Sequence, residues 1–283
     1  MRVEGKVIVL TGAGSGIGRE LALRLLSKGA QIAGVDLNAA SLAETKSFAS
    51  HKSSEFEGIV ADITDRNTVE QLPERVRARF GTVDAVINNA GIIQPFLPLM
   101  DLDYGTIDRL LSVNLLGTLY VLKSFVPHLI ARPEAHIVNL SSMGGFVPVP
   151  GQTIYCAAKA GVKLMSEGLA SELLNTNVRV TVVFPGAVAT NIAGNSGIEV
   201  RSDAMRENGR VKPLPARKAA EIIVAAIQRN ARHVYVGRDS SVMNILSRMN
   251  PSFAARAVAK QMHGLLPAAK ASWNIEPRSD SNS

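Results

Sequence analysis

At 283 residues the chain can bury one large core, and 46% hydrophobic with 19% charged residues is the composition of a globular rather than a disordered protein. A single cysteine, Cys156, excludes an internal disulfide, the five histidines lack ligand-like spacing, and no run of about 18 apolar residues reads as a membrane span. The net charge of +7 is uneven: residues 1–200 hold 17 Lys+Arg against 18 Asp+Glu, and residues 201–283 hold 14 against 6, so the body is neutral and the basicity lies in the C-terminal third.

Seven Val- and Ile-rich runs follow one another along the chain: "KVIVL", "QIAGVD", "FEGIVAD", "VDAVIN", "AHIVNLSS", "NVRVTVVFPG" and "HVYVG". Segments of helical period separate them, and helices are predicted at 16–28, 39–50, 65–79, 106–131, 153–174 and 216–230. This alternation predicts an α/β, Rossmann-type, doubly wound parallel sheet of seven strands with helices on both faces. The first residues pass straight into a strand, so no signal peptide is predicted, and a metal-free cytoplasmic protein is expected.

Ligands of such sheets bind beyond the carboxyl ends of the strands, where the unusual clusters of this sequence fall. "TGAGSGIG" (Thr11 to Gly18) follows the first strand and opens a helix. Its glycines let backbone approach a pyrophosphate at a helix N-terminus, which points to Gly12, Ser15, Gly16, Ile17 and Gly18 as cofactor residues. Asp36 ends the second strand about 20 residues on, where a carboxylate accepts from both adenosine ribose hydroxyls and repels a 2′-phosphate. Neither Ser15 nor Leu37 supplies a cation for that phosphate, so NAD is expected rather than NADP. Asp62 and Ile63 are placed to meet the adenine, and Asn89, Ala90 and Gly91 of "NNAG" to line the cofactor's path. Each of these alone would equally be read as a turn.

Ser142 ends the fifth strand, Tyr155 follows near the start of a helix, and Lys159 stands at i+4 on the same face. With Asn114 in "VNLLG", the glycine motif, and Pro185-Gly186, the chain from about residue 5 to 237 resembles the short-chain dehydrogenase/reductase family in its single-domain branch. The resemblance implies that Tyr155 is the general acid/base, that Ser142 holds the substrate oxygen, and that Lys159 holds the nicotinamide ribose. It also implies that Asn114 distorts its helix to keep a water in the proton relay. By the same resemblance Pro185, Gly186, Val188 and Thr190 shape the nicotinamide pocket. A phenol of reference pKa about 10 serves as a base near neutrality only if that value falls by about 3. One cation about 4 Å away at an effective dielectric of about 20 supplies that much, and Lys159, helped by the positive nicotinamide ring of the oxidised cofactor, is the expected source. Ser141 is the competing serine, and Cys156 is read as a packing residue.

Apolar residues near the site predict a hydrophobic secondary alcohol or ketone of steroid, retinoid or aliphatic type, met by Ser142, Met143, Phe146, Gln152 and Tyr155. The stretch 191–214 is expected to form a lid. Three segments are expected: a catalytic domain at 1–237, an amphipathic helical extension at 238–266 broken at Asn250-Pro251, and a disordered tail at 267–283. The extension is assigned to subunit or domain packing, with peripheral contact to an anionic membrane as the second use of its basic residues. A homodimer or homotetramer through the helices at 106–131 and 153–174 is expected, and no nucleic-acid partner. The competing function is a non-catalytic dinucleotide sensor or scaffold on the same fold, though this chain keeps both Tyr155 and Lys159.

Overall fold

Strand β1 (Val7–Thr11) shows how the layers arise. Val7 and Val9 point into one apolar layer and Ile8 and Leu10 into the other, so this β-branched run is buried on both faces. The computed structural model describes residues 1–198 and 212–262. Around β1 lie β2 (Gln31–Asp36), β3 (Phe56–Val60), β4 (Ala85–Asn88), β5 (Ala135–Leu140), β6 (Val178–Pro185) and β7 (His233–Val236). They form one sheet in the order β3-β2-β1-β4-β5-β6-β7, and every pair is parallel. The order reverses between β1 and β4, where Leu10 sits in register with both Gly34 and Ile87. That reversal opens a crevice at the carboxyl ends of the strands.

Helices α1 (Gly16–Ser27), α2 (Ala39–Phe48), α3 (Arg66–Phe80), α4 (Tyr104–Leu111), α5 (Thr118–Ile130) and α6 (Thr153–Glu172) agree with the predicted segments. The α1 residues Leu21, Leu25 and Leu26 cover one face together with Ile223, Val224 and Ile227 of α7 (Ala216–Gln228). The other face is covered by Val69, Leu72 and Val76 of α3 and by Val121, Phe125 and Leu129 of α5. Full burial of each such side chain contributes about 1.5–3 kcal/mol, and both layers are needed for the sheet to leave water.

Residues 104–130 run as one helix interrupted by a π-helical turn at Ser112–Gly117. With mean hydropathy 1.4 over its most apolar window, this helix is long and apolar enough to cross a membrane, contrary to the reading of the sequence. Here that hydropathy serves the sheet: Val121, Leu122, Phe125 and Leu129 are buried in the core layer.

At the amino ends of the strands, buried Asp84 accepts from the Val7 N–H at 3.0 Å and pairs with Arg132 at 2.9 Å. Past Gly237 the chain continues as α8 (Arg238–Met249) and α9 (Pro251–Met262), broken at Asn250 as the proline predicts. Ser240 fastens α8 to the sheet by donating to the Phe184 carbonyl at 2.7 Å. The expected lid falls mostly on residues 199–211, outside the described residues, as does the expected disordered tail.

Candidate active site

A cavity of about 1110 Å³ opens at the carboxyl ends of the strands. The glycine turn after β1 forms one wall. Gly18 has no room for a side chain, because a Cβ there would run into the Gly12 carbonyl, so α1 can start directly beneath the turn. Gly18 itself therefore braces the turn from behind, while Gly12, Ser15, Gly16 and Ile17 line the cavity. The N-terminal N–H groups of α1 receive no side-chain cap from Ser15, which leaves donors free for an anion.

Asp36 lines the same wall, and its carboxylate also organises the turn. Oδ2 accepts from the Gly14 N–H at 2.9 Å, and Oδ1 from the Asn38 N–H at 3.0 Å. A carboxylate has about four lone-pair sites, so two backbone donors leave capacity for ribose hydroxyls. Gly14 was overlooked in the sequence reading; a Cβ there would meet Asp36 Oδ2 at 2.9 Å and Ser41 Cβ at 2.7 Å. Leu37, Asp62 and Ile63 line the cavity beside Asp36, with the Asp62 carboxylate accepting from Thr64 at 2.8 Å.

The turn after β4 lies against the glycine turn. Asn89 Nδ2 donates to the carbonyls of Thr11 at 3.0 Å and Gly12 at 3.1 Å, and Thr11 Oγ1 accepts the N–H groups of Asn89 and Ala90. Asn89, Ala90 and Gly91 line the floor. A Cβ at Gly91 would stand 2.9 Å from Asn114 Oδ1 and 3.2 Å from Lys159 Nζ, filling a cradle left open to the cavity. The uncapped helix start, Asp36 and the glycine turn in one trough suit an extended anionic molecule with a flat heteroaromatic ring at each end, as a dinucleotide has.

Asn114 sits in the π-helical turn, fully buried, and does not line the cavity. Its carboxamide clasps Ile92: Oδ1 accepts the Ile92 N–H at 2.9 Å and Nδ2 donates to the Ile92 carbonyl at 2.8 Å. The helix distortion expected at Asn114 is present, and its side chain braces the loop that follows Gly91.

Ser142, Tyr155 and Lys159 converge on the far side of the cavity from Asp36. Ser142 Oγ accepts the Gly144 N–H at 3.1 Å and hydrogen-bonds the Tyr155 phenol. Lys159 is buried and donates to the Leu140 carbonyl at 3.0 Å; burial brings its pKa down to about 8, so near neutral pH it is mostly an ammonium.

Among the protein's own groups no net lowering of the Tyr155 pKa is seen; the positive nicotinamide ring of the oxidised cofactor is the other expected source. Burial pushes the phenol above its ordinary value, the Ser142 hydrogen bond acts against that, and the Cys156 thiol adds to it. Lys159 Nζ lies 5.9 Å from the centre of the tyrosine ring and is turned to a backbone carbonyl, so desolvation of the phenolate outweighs its charge. The Cys156 thiol is itself raised by burial, which keeps it protonated and leaves it a packing residue.

Pro185, Gly186, Val188 and Thr190 line the remaining wall after β6. Asp239, from the start of α8, accepts the Ala187 N–H at 2.7 Å, a brace between residues 52 positions apart. The substrate set is only partly assembled. Met143, Phe146 and Gln152 do not line the cavity, unlike Ser142 and Tyr155. Phe146 instead packs edge-on against Phe184 at 5.5 Å and Tyr235 at 5.9 Å, and Gln152 is buried and donates to the Gln94 carbonyl at 2.6 Å. Apolar residues in the lining of the same cavity include Ile92, Ile93, Leu140, Val188 and Ile192.

The family pattern of the short chain dehydrogenases matches residues 6–200. A Mycobacterium tuberculosis protein named SadH, an oxidoreductase by name, is 36% identical over 274 residues, covering 94% of this chain and 99% of its own. Among solved structures, a short chain dehydrogenase/reductase from Burkholderia phymatum in complex with NAD superposes with TM-score 0.82 at 25% identity, over 89% of this chain and 96% of that one. A Burkholderia cenocepacia short chain dehydrogenase in complex with NADP gives TM-score 0.76 at 25% identity, over 91% and 99%.

Proposed function

Because the chain belongs to the short-chain dehydrogenase/reductase family and is an oxidoreductase with a nucleotide-binding Rossmann fold, we propose that it is NAD(H)-dependent and acts on an apolar secondary alcohol or ketone. The observation that carries this reading is the placing of Asp36 and the Ser142–Tyr155–Lys159 group at opposite sides of one cavity.

The glycine turn and the α1 N-terminus would hold the pyrophosphate, Asp36 the adenosine ribose, and Lys159 the second ribose. Bound there, the dinucleotide supplies or accepts the hydride. Leu37, Asn38, Ala39, Ala40 and Ser41 beside Asp36 carry no cation. Of the cations that line the cavity, Lys159 belongs to the catalytic group and Arg109 to α4, which packs against α6 and the π-helical turn. Among the described residues that line the cavity beside Asp36, a 2′-phosphate would thus meet a carboxylate and no counter-ion, which supports NAD over NADP.

Ser142 Oγ orients the substrate oxygen, and Tyr155, held as a phenol by its burial, is set to donate a proton to a carbonyl oxygen. Ile92, Ile93 and Ile192, in the lining of the same cavity, suit an apolar substrate. Exposed Leu116, Leu119 and Leu164, on the π-helical turn, α5 and α6, are proposed to be covered by a second copy of the chain. Val242, Ile245, Met249 and Phe253 are likewise exposed on α8 and α9, and packing on a subunit is the use assigned to them.

A screen of ketones and secondary alcohols of graded size with NAD(H) and NADP(H) tests this reading. Turnover of apolar compounds with NAD(H) is expected; turnover confined to polyols, or a preference for NADP(H), would overturn the substrate or the cofactor assignment respectively.

A further inference from the structure

The helix that carries Tyr155 begins without a cap of its own: Gln152, at its N-cap, makes no side-chain capping bond. Its first N–H groups are instead capped from a distant part of the chain. Gln94, fully buried in the loop after β4, turns its side-chain oxygen to the N–H groups of Ile154 at 3.1 Å and Tyr155 at 3.0 Å. Its amide nitrogen donates to the Gly151 carbonyl at 3.0 Å, and its backbone carbonyl accepts from Gln152 Nε2 at 2.6 Å. Four bonds thus join one glutamine to the five-residue entry into α6.

The two preceding residues are fastened in the same way to other walls of the site. Ile92 is clasped at both backbone groups by Asn114, and the Ile93 N–H donates to Ser196 Oγ at 3.0 Å, just past the short helical turn at Ile192–Asn195. Residues 92–94 therefore tie together the π-helical turn, the segment after Thr190 and the start of α6. Ile92 and Ile93 also line the cavity.

We infer that Gln94 is a positioning residue: its carboxamide fixes the start of α6, and so the placing of the Tyr155 hydroxyl against Ser142 and the bound substrate. Helix starts orphan four N–H groups, and buried ones cost free energy unless met, so the entry of α6 has one low-energy seat, which Gln94 defines. A misplacement of about 1 Å in a reacting group can cost about a hundredfold in rate, so this seat bears on turnover more than on binding. The inference rests on the proposed role of Tyr155.

The test compares Gln94→Met, which keeps the length and removes both polar ends, with Gln94→Glu, which keeps the acceptor for Ile154 and Tyr155. Full-length proteins are assayed for kcat, for NADH affinity by fluorescence and for the pH dependence of turnover. Gln94→Met is expected to lose about tenfold or more in kcat with NADH affinity within about threefold of the parent, and to shift the pH profile. Gln94→Glu keeps the acceptor but, once ionised, cannot donate to the Gly151 carbonyl, so it is expected to restore only part of kcat, most at low pH where its carboxyl is protonated. Should Gln94→Met fail to fold, Gln152→Leu, which removes only the bond to the Gln94 carbonyl, is expected to show a smaller loss of kcat in the same pattern.

Parental kcat and pH profile in a folded Gln94→Met or Gln152→Leu protein would overturn the inference. So would losses shared equally by kcat and NADH affinity. Tyr155→Phe, assayed alongside, separates the two claims: if it stays active, the role of Tyr155 fails, whereas an inactive Tyr155→Phe with unaffected Gln94 variants sinks the positioning role alone.

Discussion

Ser141 donates its hydroxyl to the carbonyl of Lys159 at 2.7 Å, two strand-end serines thereby taking separate tasks. Both serines line the cavity, but Ser141 is buried with its hydroxyl committed to the backbone of α6, which leaves the Ser142 hydroxyl to the Tyr155 phenol. Ser142→Ala is expected to lower kcat by about a hundredfold with little change in melting temperature. Ser141→Ala is expected to do the reverse, costing about 1 kcal/mol of stability with most of kcat kept. Steady-state kinetics and thermal unfolding of the two variants check this; interchanged phenotypes would contradict it.

At the end of β2, Asp36 is proposed to select the cofactor by charge. The double variant Asp36→Ala, Leu37→Arg removes the repulsion and adds a guanidinium for a 2′-phosphate. The ratio of kcat/KM for NADPH over NADH is expected to rise by about a hundredfold or more. NADH use should also weaken, because the Gly14 N–H loses its acceptor. An unchanged ratio would remove Asp36 from cofactor selection.

The brace from α8 gives a third expectation. Asp239→Ala leaves the Ala187 N–H without its partner, next to Gly186 and Val188 in the cavity wall. KM for the dinucleotide is expected to rise severalfold, up to about tenfold, as befits one lost hydrogen bond. Unchanged cofactor kinetics would show that the extension does not support this wall.

Acid sensitivity has an identifiable source far from the cavity. His136 is buried in β5, and its Nε2 lies 2.8 Å from Thr181 Oγ1, whose proton goes to the Ala231 carbonyl at 2.6 Å. Nε2 must therefore carry the hydrogen, and Nδ1 is buried with no partner to receive a second proton. Burial brings the His136 pKa from 6.5 down to about 3, with nearby positive charge adding to the effect. The unfolded chain binds this proton from about pH 6.5 downward and the folded chain does not, so stability falls as pH drops toward 3, by up to about 4 kcal/mol. Urea unfolding of the parent and of His136→Asn between pH 7 and 4 is expected to show a shallower decline in the variant; equal slopes would acquit His136.

Much of this fold is legible in the sequence because its signals are local. Runs such as "KVIVL" and "AHIVNL" are apolar on both faces, which only a covered parallel sheet satisfies, and the glycine turn, Asp36, Ser142 and Lys159 hold fixed places after strands. The less visible features join groups remote in sequence. Gln94 caps α6 across 60 and 61 positions and Asp239 braces Ala187 across 52, and neither pairing leaves a periodicity or a spacing to read. Phe146 and Gln152 were misplaced for a related reason: nearness to Ser142 in sequence does not say which side of the loop faces the cavity. The raised pKa of Tyr155 could not be read either, since it depends on burial set by the whole fold.

The central claim is that Tyr155 passes the proton while the rest of the cavity holds the dinucleotide. Single-turnover oxidation of NADH by an apolar ketone, compared between the parent and Tyr155→Phe at equal NADH saturation, tests it most directly. The account predicts a rate about a hundredfold or more lower in the variant, with NADH affinity within a few-fold of the parent; a variant that oxidises NADH at the parental rate would contradict it.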